Sequence, residues 1–312
     1  MTTVPETLER LGGVATRAEL LRSITHRQLE AAVRDGSVLR PRRNRYVSPQ
    51  LETTRALAHE LSAVASHRSA ALEHGWKVKT TPEIPELTVP RGRKLTPEAR
   101  AGAVLRTGVL TRQERKAGVT APLATVFACA RAMPFDEALA IADSALRSGT
   151  VRARELAAAS RQVSGPGRPQ VVRVLRHASP RAANPFESVL RAISLDVPGL
   201  DLVPQVRIQV ADGLFVVPDL VDRVRRIVVE ADSHEFHTKR RQLTADCWRY
   251  AELGLAGWRV FRFSWEQAMF EQAWVRWVLT RAVDPGAAPP IGANIWLGPG
   301  GRTQQVPSAY VG

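Results

Sequence analysis

Residues 215–237 read FVVPDLVDRVRRIVVEADSHEFH. Two short apolar runs rich in Val flank a polar, arginine-rich turn from Asp222 to Arg226. Runs of this kind joined by a polar turn predict two antiparallel strands. Side chains alternate along a strand, so Glu230 and Asp232 share a face. Asp219, directly after Pro218, falls on the neighbouring strand at the same end of the hairpin. Three carboxylates would then converge at the rim of an apolar sheet. Packed carboxylates repel one another and lose hydration, so something must neutralise them. A hard divalent cation, Mg²⁺ or Mn²⁺, suits such oxygen donors and takes only a few carboxylates besides water and phosphate. Taken singly, the same acids have plainer uses: Asp219 as a turn cap, Glu230 as the partner of Arg225 or Arg226.

On either side of this stretch, the pattern predicts a helix over 185–195 and a strand over 205–210. A turn at Asp212-Gly213 follows, then strands over 215–221 and 226–231. A helix over 239–256, a strand over 259–263 and a helix over 265–280 complete the order αβββαβ. This order, with Pro218-Asp219 and Glu230-Ala231-Asp232 on successive strands, resembles the PD-(D/E)XK nucleases and their restriction-endonuclease-like core. It is closest to the very-short-patch-repair (Vsr-like) branch, in which a His follows the strand-end acid by five positions, as His237 follows Asp232. The resemblance covers about residues 184–281. It implies a metal-dependent endonuclease in which Asp219 and Glu230 hold the metal, and Asp232 holds metal or orients water. Glu187, in the Pro185-Phe186-Glu187-Ser188 stretch that resembles the family's first helix, would be an outer ligand. His237 would act as acid/base or grip the leaving phosphate, and His234 is read as a surface residue. The chain departs from the family at two places: Asp232 stands where the broad motif has Lys, and Ser233 where Gly is usual. The first departure removes a charge that would stabilise the transition state.

The first fifty residues carry a different signature. Thr16-x-x-Glu19 and Thr25-x-x-Gln28 are capping boxes that open two helices after a short one over 5–11. Leu29, Ala32 and Val33 share one face of the third helix, and Asp35-Gly36 stops it. Strands then flank the basic tip Arg40-Pro41-Arg42-Arg43-Asn44-Arg45. Helix, helix and basic hairpin predict a winged helix-turn-helix, with Arg27, Arg34, Arg40, Arg42, Arg43 and Arg45 as DNA contacts. Gly12-Gly13-Val14-Ala15-Thr16-Arg17 and Arg45-Tyr46 resemble the N-terminal domain of AbiEi-family antitoxins. Asn44 stands where that family has Gly, and Asn tolerates the same left-handed backbone.

Ser66-His67-Arg68-Ser69-Ala70-Ala71-Leu72 resembles the middle region of the same AbiEi-like proteins. Strands are predicted over 86–89 and 103–106, and helices over 51–64, 122–133, 135–147, 151–160 and 169–177. Asp136, Glu137 and Asp143 read as helix-start and solvent-face residues. A Gly/Pro-rich break over 163–168 places the last boundary near Arg181. The expected organisation is a winged helix over 1–50, a mixed α/β middle region over 51–180, the nuclease-like domain over 181–283 and a Pro/Gly-rich tail over 284–312.

The 312 residues carry a formal charge of +14. That excess favours a polyanionic partner, and DNA comes first. No apolar run reaches the length of a membrane span. The N-terminus lacks a basic-then-apolar leader. Cys129 and Cys247 are single and far apart, which suits a reducing, cytoplasmic setting. The leading reading is a DNA-binding protein with a metal-dependent endonuclease domain, in repair or defence, with homodimerisation open. The rival is a non-catalytic AbiEi-antitoxin-like repressor with a toxin partner. RNA cleavage is the third reading.

Overall fold

Capping boxes punctuate the N-terminal region. Thr3 with Glu6, Thr16 with Glu19 and Thr25 with Gln28 each satisfy two orphan donors, and they open the helices Val4–Arg10, Arg17–Leu20 and His26–Arg34. The strands Leu39–Arg42 and Arg45–Val47 form a hairpin whose tip, Asn44, adopts φ 59°. A two-residue strand, Val14–Ala15, adds to its far side and completes a three-stranded sheet.

A computed structural model describes residues 3–232, 240–287, 294–295 and 304–305 of the chain. The class is mixed α/β. The chain divides into two compact units, Met1–Ser188 and Val189–Gly312. Among the described residues no helix is long and apolar enough to cross a membrane.

In the first unit the N-terminal fifty residues are tied to the middle region. Val14, Val47 and Leu51 share one core with Trp76, Val78 and the helices Pro122–Ala132, Phe135–Arg147 and Arg168–His177. Gly12 sits at this junction with φ +90°, and its carbonyl accepts Val78 N–H at 3.1 Å. A Cβ there would lie 2.7 Å from Lys77 Cβ and 2.9 Å from Val78 O. Gly12→Ala is therefore expected to cost about 1–3 kcal/mol of stability, measured by denaturant unfolding, since both backbone strain and overlap act at this one position.

The strands Val64–Ala65, Glu86–Pro90 and Val104–Gly108 form a second sheet, antiparallel then parallel. Asp143 corrects the solvent-face expectation. It is fully buried, accepting Ser179 N–H at 2.7 Å and the Ser188 hydroxyl at 2.8 Å. Asp136 pairs with Lys79 at 2.6 Å and Glu137 faces Arg68 at 3.8 Å. The Asp143 bonds carry the first unit past the break near Arg181 and into the first turn of the helix Pro185–Ser194.

The second unit is built on a four-stranded sheet in the order Arg259–Ser264, Ile227–Asp232, Leu220–Asp222, Val203–Pro204. The last three are antiparallel in turn, and Ile227–Asp232 and Arg259–Ser264 run parallel across the helix Arg240–Leu255. The strand expected over 215–221 is broken. Leu214–Val216 pairs instead with Ile208–Ala211 in a separate hairpin. Pro218 offers no N–H to a ladder, so the pairing ends there and resumes at Leu220. The strand expected over 205–210 begins later, at Ile208, after Gln205 takes φ 54°. The helix expected over 265–280 is two, Trp265–Phe270 and Gln272–Val283, meeting at the non-helical Glu271.

The arginine-rich turn closes on a buried acid. Asp222 Oδ1 accepts Arg225 N–H at 2.9 Å, and its Oδ2 accepts Asp201 N–H at 3.1 Å. Val221, Val228, Ile208, Val216 and Leu253 then form a core on the helix-covered face, with Tyr250, Trp258 and Val260 packed against it.

Candidate functional site

The pairing Leu220↔Val229 sets Asp219 opposite Glu230. Ala231 N–H donates to Asp219 Oδ2 at 2.9 Å, and Gln205 Nε2 to Asp219 Oδ1 at 3.3 Å. Asp219 N–H reaches Glu230 Oε2 at 3.5 Å. Glu230 is buried, with 3% of its surface exposed, and Asp219 is half-buried. Burial first, and then the charge of Asp219, push the Glu230 carboxyl up to about 8, against the pull of Arg249. Burial and the neighbouring carboxylate therefore keep Glu230 protonated near neutral pH.

On the strand Ile227–Asp232 the alternation continues the face of Val228 through Glu230 to Asp232. The helix above it carries Leu253, Tyr250 and Arg249 at helical spacing on one stripe. Leu253 packs in the core with Val228, and one turn earlier Arg249 Nη2 lies 3.2 Å from Glu230 Oε1. That contact is an ion pair without hydrogen-bond alignment: Glu230 Oε1 and Arg249 Nε are buried and have no hydrogen-bond partner among the described residues. Arg249 Nη2 donates to the Tyr250 hydroxyl at 3.2 Å. Arg262, in register with Glu230, turns to Asp232 and donates to its Oδ2 at 2.6 Å, with its guanidinium 4.5 Å from the Tyr250 ring centre.

No protein-family model matches this chain, and no match is found among curated proteins.

The expected convergence of three carboxylates is thus reduced to two in contact. Asp219 and Glu230 meet, whereas Asp232 is held by Arg262, a residue the strand pattern alone does not point to. Among the described residues no group of three or more His, Cys, Asp or Glu side chains is gathered as a metal site. Glu187 lies in the first unit, where its oxygens accept Ala183 N–H at 2.8 Å and Asn184 Nδ2 at 2.9 Å. It caps the start of its own helix. His234 and His237 lie outside the described residues. Glu230 pairs with neither Arg225 nor Arg226. Arg225 turns to Asp222 and Arg226 to the Ala256 carbonyl.

The pair still fits a small divalent cation. It offers oxygen donors on adjacent strands, a buried Oε1 without a hydrogen bond, and a proton that a cation would displace. Mg²⁺ asks for no more protein than this when water and phosphate complete its shell.

Among the arginines of the N-terminal region, Arg27 and Arg34 are exposed on the helix His26–Arg34, and Arg40 and Arg43 are exposed on the hairpin. The Arg42 side chain lies outside the described residues. Arg45 is used internally: its Nη2 donates to the Leu72 carbonyl at 2.9 Å and the Glu73 carbonyl at 3.4 Å.

Proposed function

We propose that this chain is a DNA-binding, metal-dependent phosphodiesterase, with a winged helix-turn-helix at its N-terminus and a restriction-endonuclease-like core at its C-terminus. The observation that carries the reading is the Asp219–Glu230 pair, two carboxyls brought together from adjacent antiparallel strands beside Arg249. The net charge of +14 and the exposed arginines of the third helix and hairpin support a polyanionic substrate.

Asp219 and Glu230 would hold a divalent cation, which when bound would supply a polarised phosphoryl oxygen, a water of lowered pKa and a neutralised leaving oxygen. Ala231 N–H and Gln205 hold the Asp219 carboxylate in one orientation toward that site. Glu230 would give up its proton to solvent on binding the cation. In the reaction the water oxygen would add to phosphorus and give up a proton to solvent, the bond to the leaving sugar oxygen would break, and that oxygen would take a proton from solvent. Incubation with supercoiled plasmid tests the reading. Nicked or linear product is expected with Mg²⁺ or Mn²⁺ and none with chelator, and intact plasmid under every metal would overturn it.

One observation favours the second reading, a regulator without turnover. Arg249 and Arg262 already balance Glu230 and Asp232 inside the fold. In that case the chain would bind DNA and leave it uncut.

The arginines separate into two expected behaviours. Replacing Arg40 and Arg43 together by Ala lowers DNA affinity and flattens its salt dependence by about one counterion for each phosphate no longer neutralised. Arg45→Ala leaves the salt slope alone and instead costs about 1–3 kcal/mol of stability, because two carbonyls lose their donor. Salt-dependent binding isotherms and unfolding curves of the variants check both.

A further inference from the structure

We propose that Arg249 is the phosphate-gripping residue of the candidate site, released from Glu230 when a cation takes that carboxylate. The proposal rests on the phosphodiesterase reading and names a role that the motif position itself does not fill. Position 232 holds Asp, and Arg262 engages it at 2.6 Å, so strand Ile227–Asp232 brings no positive charge to the pair. The helix brings one. Arg249 reaches the same carboxylate from above, at 3.2 Å.

The state of its guanidinium points to an oxyanion. Arginine offers five N–H donors in a planar fork that matches phosphate oxygens. Here Nη2 is engaged by Tyr250 and lies beside Glu230, while Nε–H is buried and has no acceptor among the described residues. Glu230 Oε1, its ion-pair partner, is equally without a hydrogen bond. Each group therefore lacks something the other does not provide: the carboxylate a well-aligned cation, the guanidinium a second acceptor. A divalent cation with a phosphate bound to it supplies both at once. Tyr250 keeps the fork from swinging away, because its hydroxyl accepts from Nη2 and its ring lies 5.2 Å from the guanidinium carbon. The geometry thus places positive charge where a phosphoryl group on the Asp219–Glu230 cation gathers negative charge.

The test uses the full chain and three measurements on Arg249→Ala and Arg249→Lys: thermal unfolding, Mn²⁺ affinity by calorimetry, and kcat/KM for plasmid or oligonucleotide cleavage. Arg249→Ala is expected to bind Mn²⁺ as tightly as the parent or a few-fold tighter, since a competing cation is gone, while kcat/KM falls about 10²-fold. Arg249→Lys restores the charge without the fork and recovers only part of the loss. If Arg249→Ala stays folded and loses Mn²⁺ affinity together with cleavage, Arg249 merely holds the carboxylates, and the proposal is overturned. Cleavage by Arg249→Ala at the parent's rate overturns it also. A parent that binds no Mn²⁺ and cuts nothing removes the phosphodiesterase reading, and this proposal falls with it. If Arg249→Ala does not fold, Arg249→Lys decides alone: parental Mn²⁺ affinity with lowered kcat/KM supports the role, and parental values of both overturn it.

Discussion

Asp219→Ala is expected to lower metal-dependent cleavage by at least about 10²-fold without unfolding the second unit. Asp219 accepts from Ala231 N–H and Gln205 Nε2, and both donors lie near a surface that water can reach once the side chain is cut back, since Asp219 is only half-buried. The stability cost is that of hydrogen bonds replaced by water, about 1–2 kcal/mol. The chemical cost is larger, because one of two carboxylates holding the cation is gone and the charge stabilisation of the transition state goes with it. Asp219→Asn is the companion variant. It keeps the acceptor for Ala231 N–H and is expected to cut as poorly as the alanine variant while melting close to the parent. Thermal melts beside plasmid cleavage time courses check the pair. A variant that cuts at the parental rate would remove Asp219 from the site.

The second large effect concerns pH. In the folded protein the Glu230 carboxyl is pushed from an ordinary 4.5 up to about 8. Between those values the native state holds a proton that the unfolded chain has released. Stability from this group is therefore complete below about pH 4.5 and is lost as pH rises through about 8. Each unit of displacement corresponds to about 1.4 kcal/mol, so the ionised pair at pH 9 costs on the order of a few kcal/mol relative to the protonated one. Glu230→Gln keeps the size and the hydrogen-bonding capacity and removes the titration. The variant is expected to be more stable than the parent at pH 9, to be close to it at pH 5, and to cut no DNA. Denaturant unfolding of both proteins across that range measures the crossover. Parallel pH profiles would mean that Glu230 ionises normally. Saturating Mn²⁺ should abolish the parent's alkaline loss, because the cation would replace the Glu230 proton.

The Asp219–Glu230 meeting is legible from residues 215–232 alone. A polar turn of fixed length between two apolar runs sets the register, and alternation then decides the face. What alternation cannot supply is the charge that comes from elsewhere in the chain. Asp232 has the right face and strand, yet Arg262, thirty residues later, claims it. In the sequence Arg249 is one polar position among several in the helix over 239–256. Its placement over Glu230 follows from the phase of the helix, which Leu253 and Tyr250 fix by packing in the core. Reading Leu253, Tyr250 and Arg249 as one stripe is the signal that would have found it.

Asp143 is hidden in the sequence for the same reason. A lone acid in an amphipathic helix looks solvent-facing when its partners, Ser179 and Ser188, lie 36 and 45 residues downstream. The helices of the N-terminal region are legible from their Thr caps. The strand Val14–Ala15 is not, since two residues carry no periodicity.

If Asp219 and Glu230 hold a divalent cation in place of the Glu230 proton, metal binding and proton release must be linked. Calorimetric titration of Mn²⁺ into the full chain at pH 7, repeated in two buffers of different ionisation enthalpy, measures both together. One binding event is predicted, with release of close to one proton, lost in Asp219→Ala and without proton release in Glu230→Gln. Mn²⁺ binding that persists unchanged in both variants, or no binding by the parent, would contradict it.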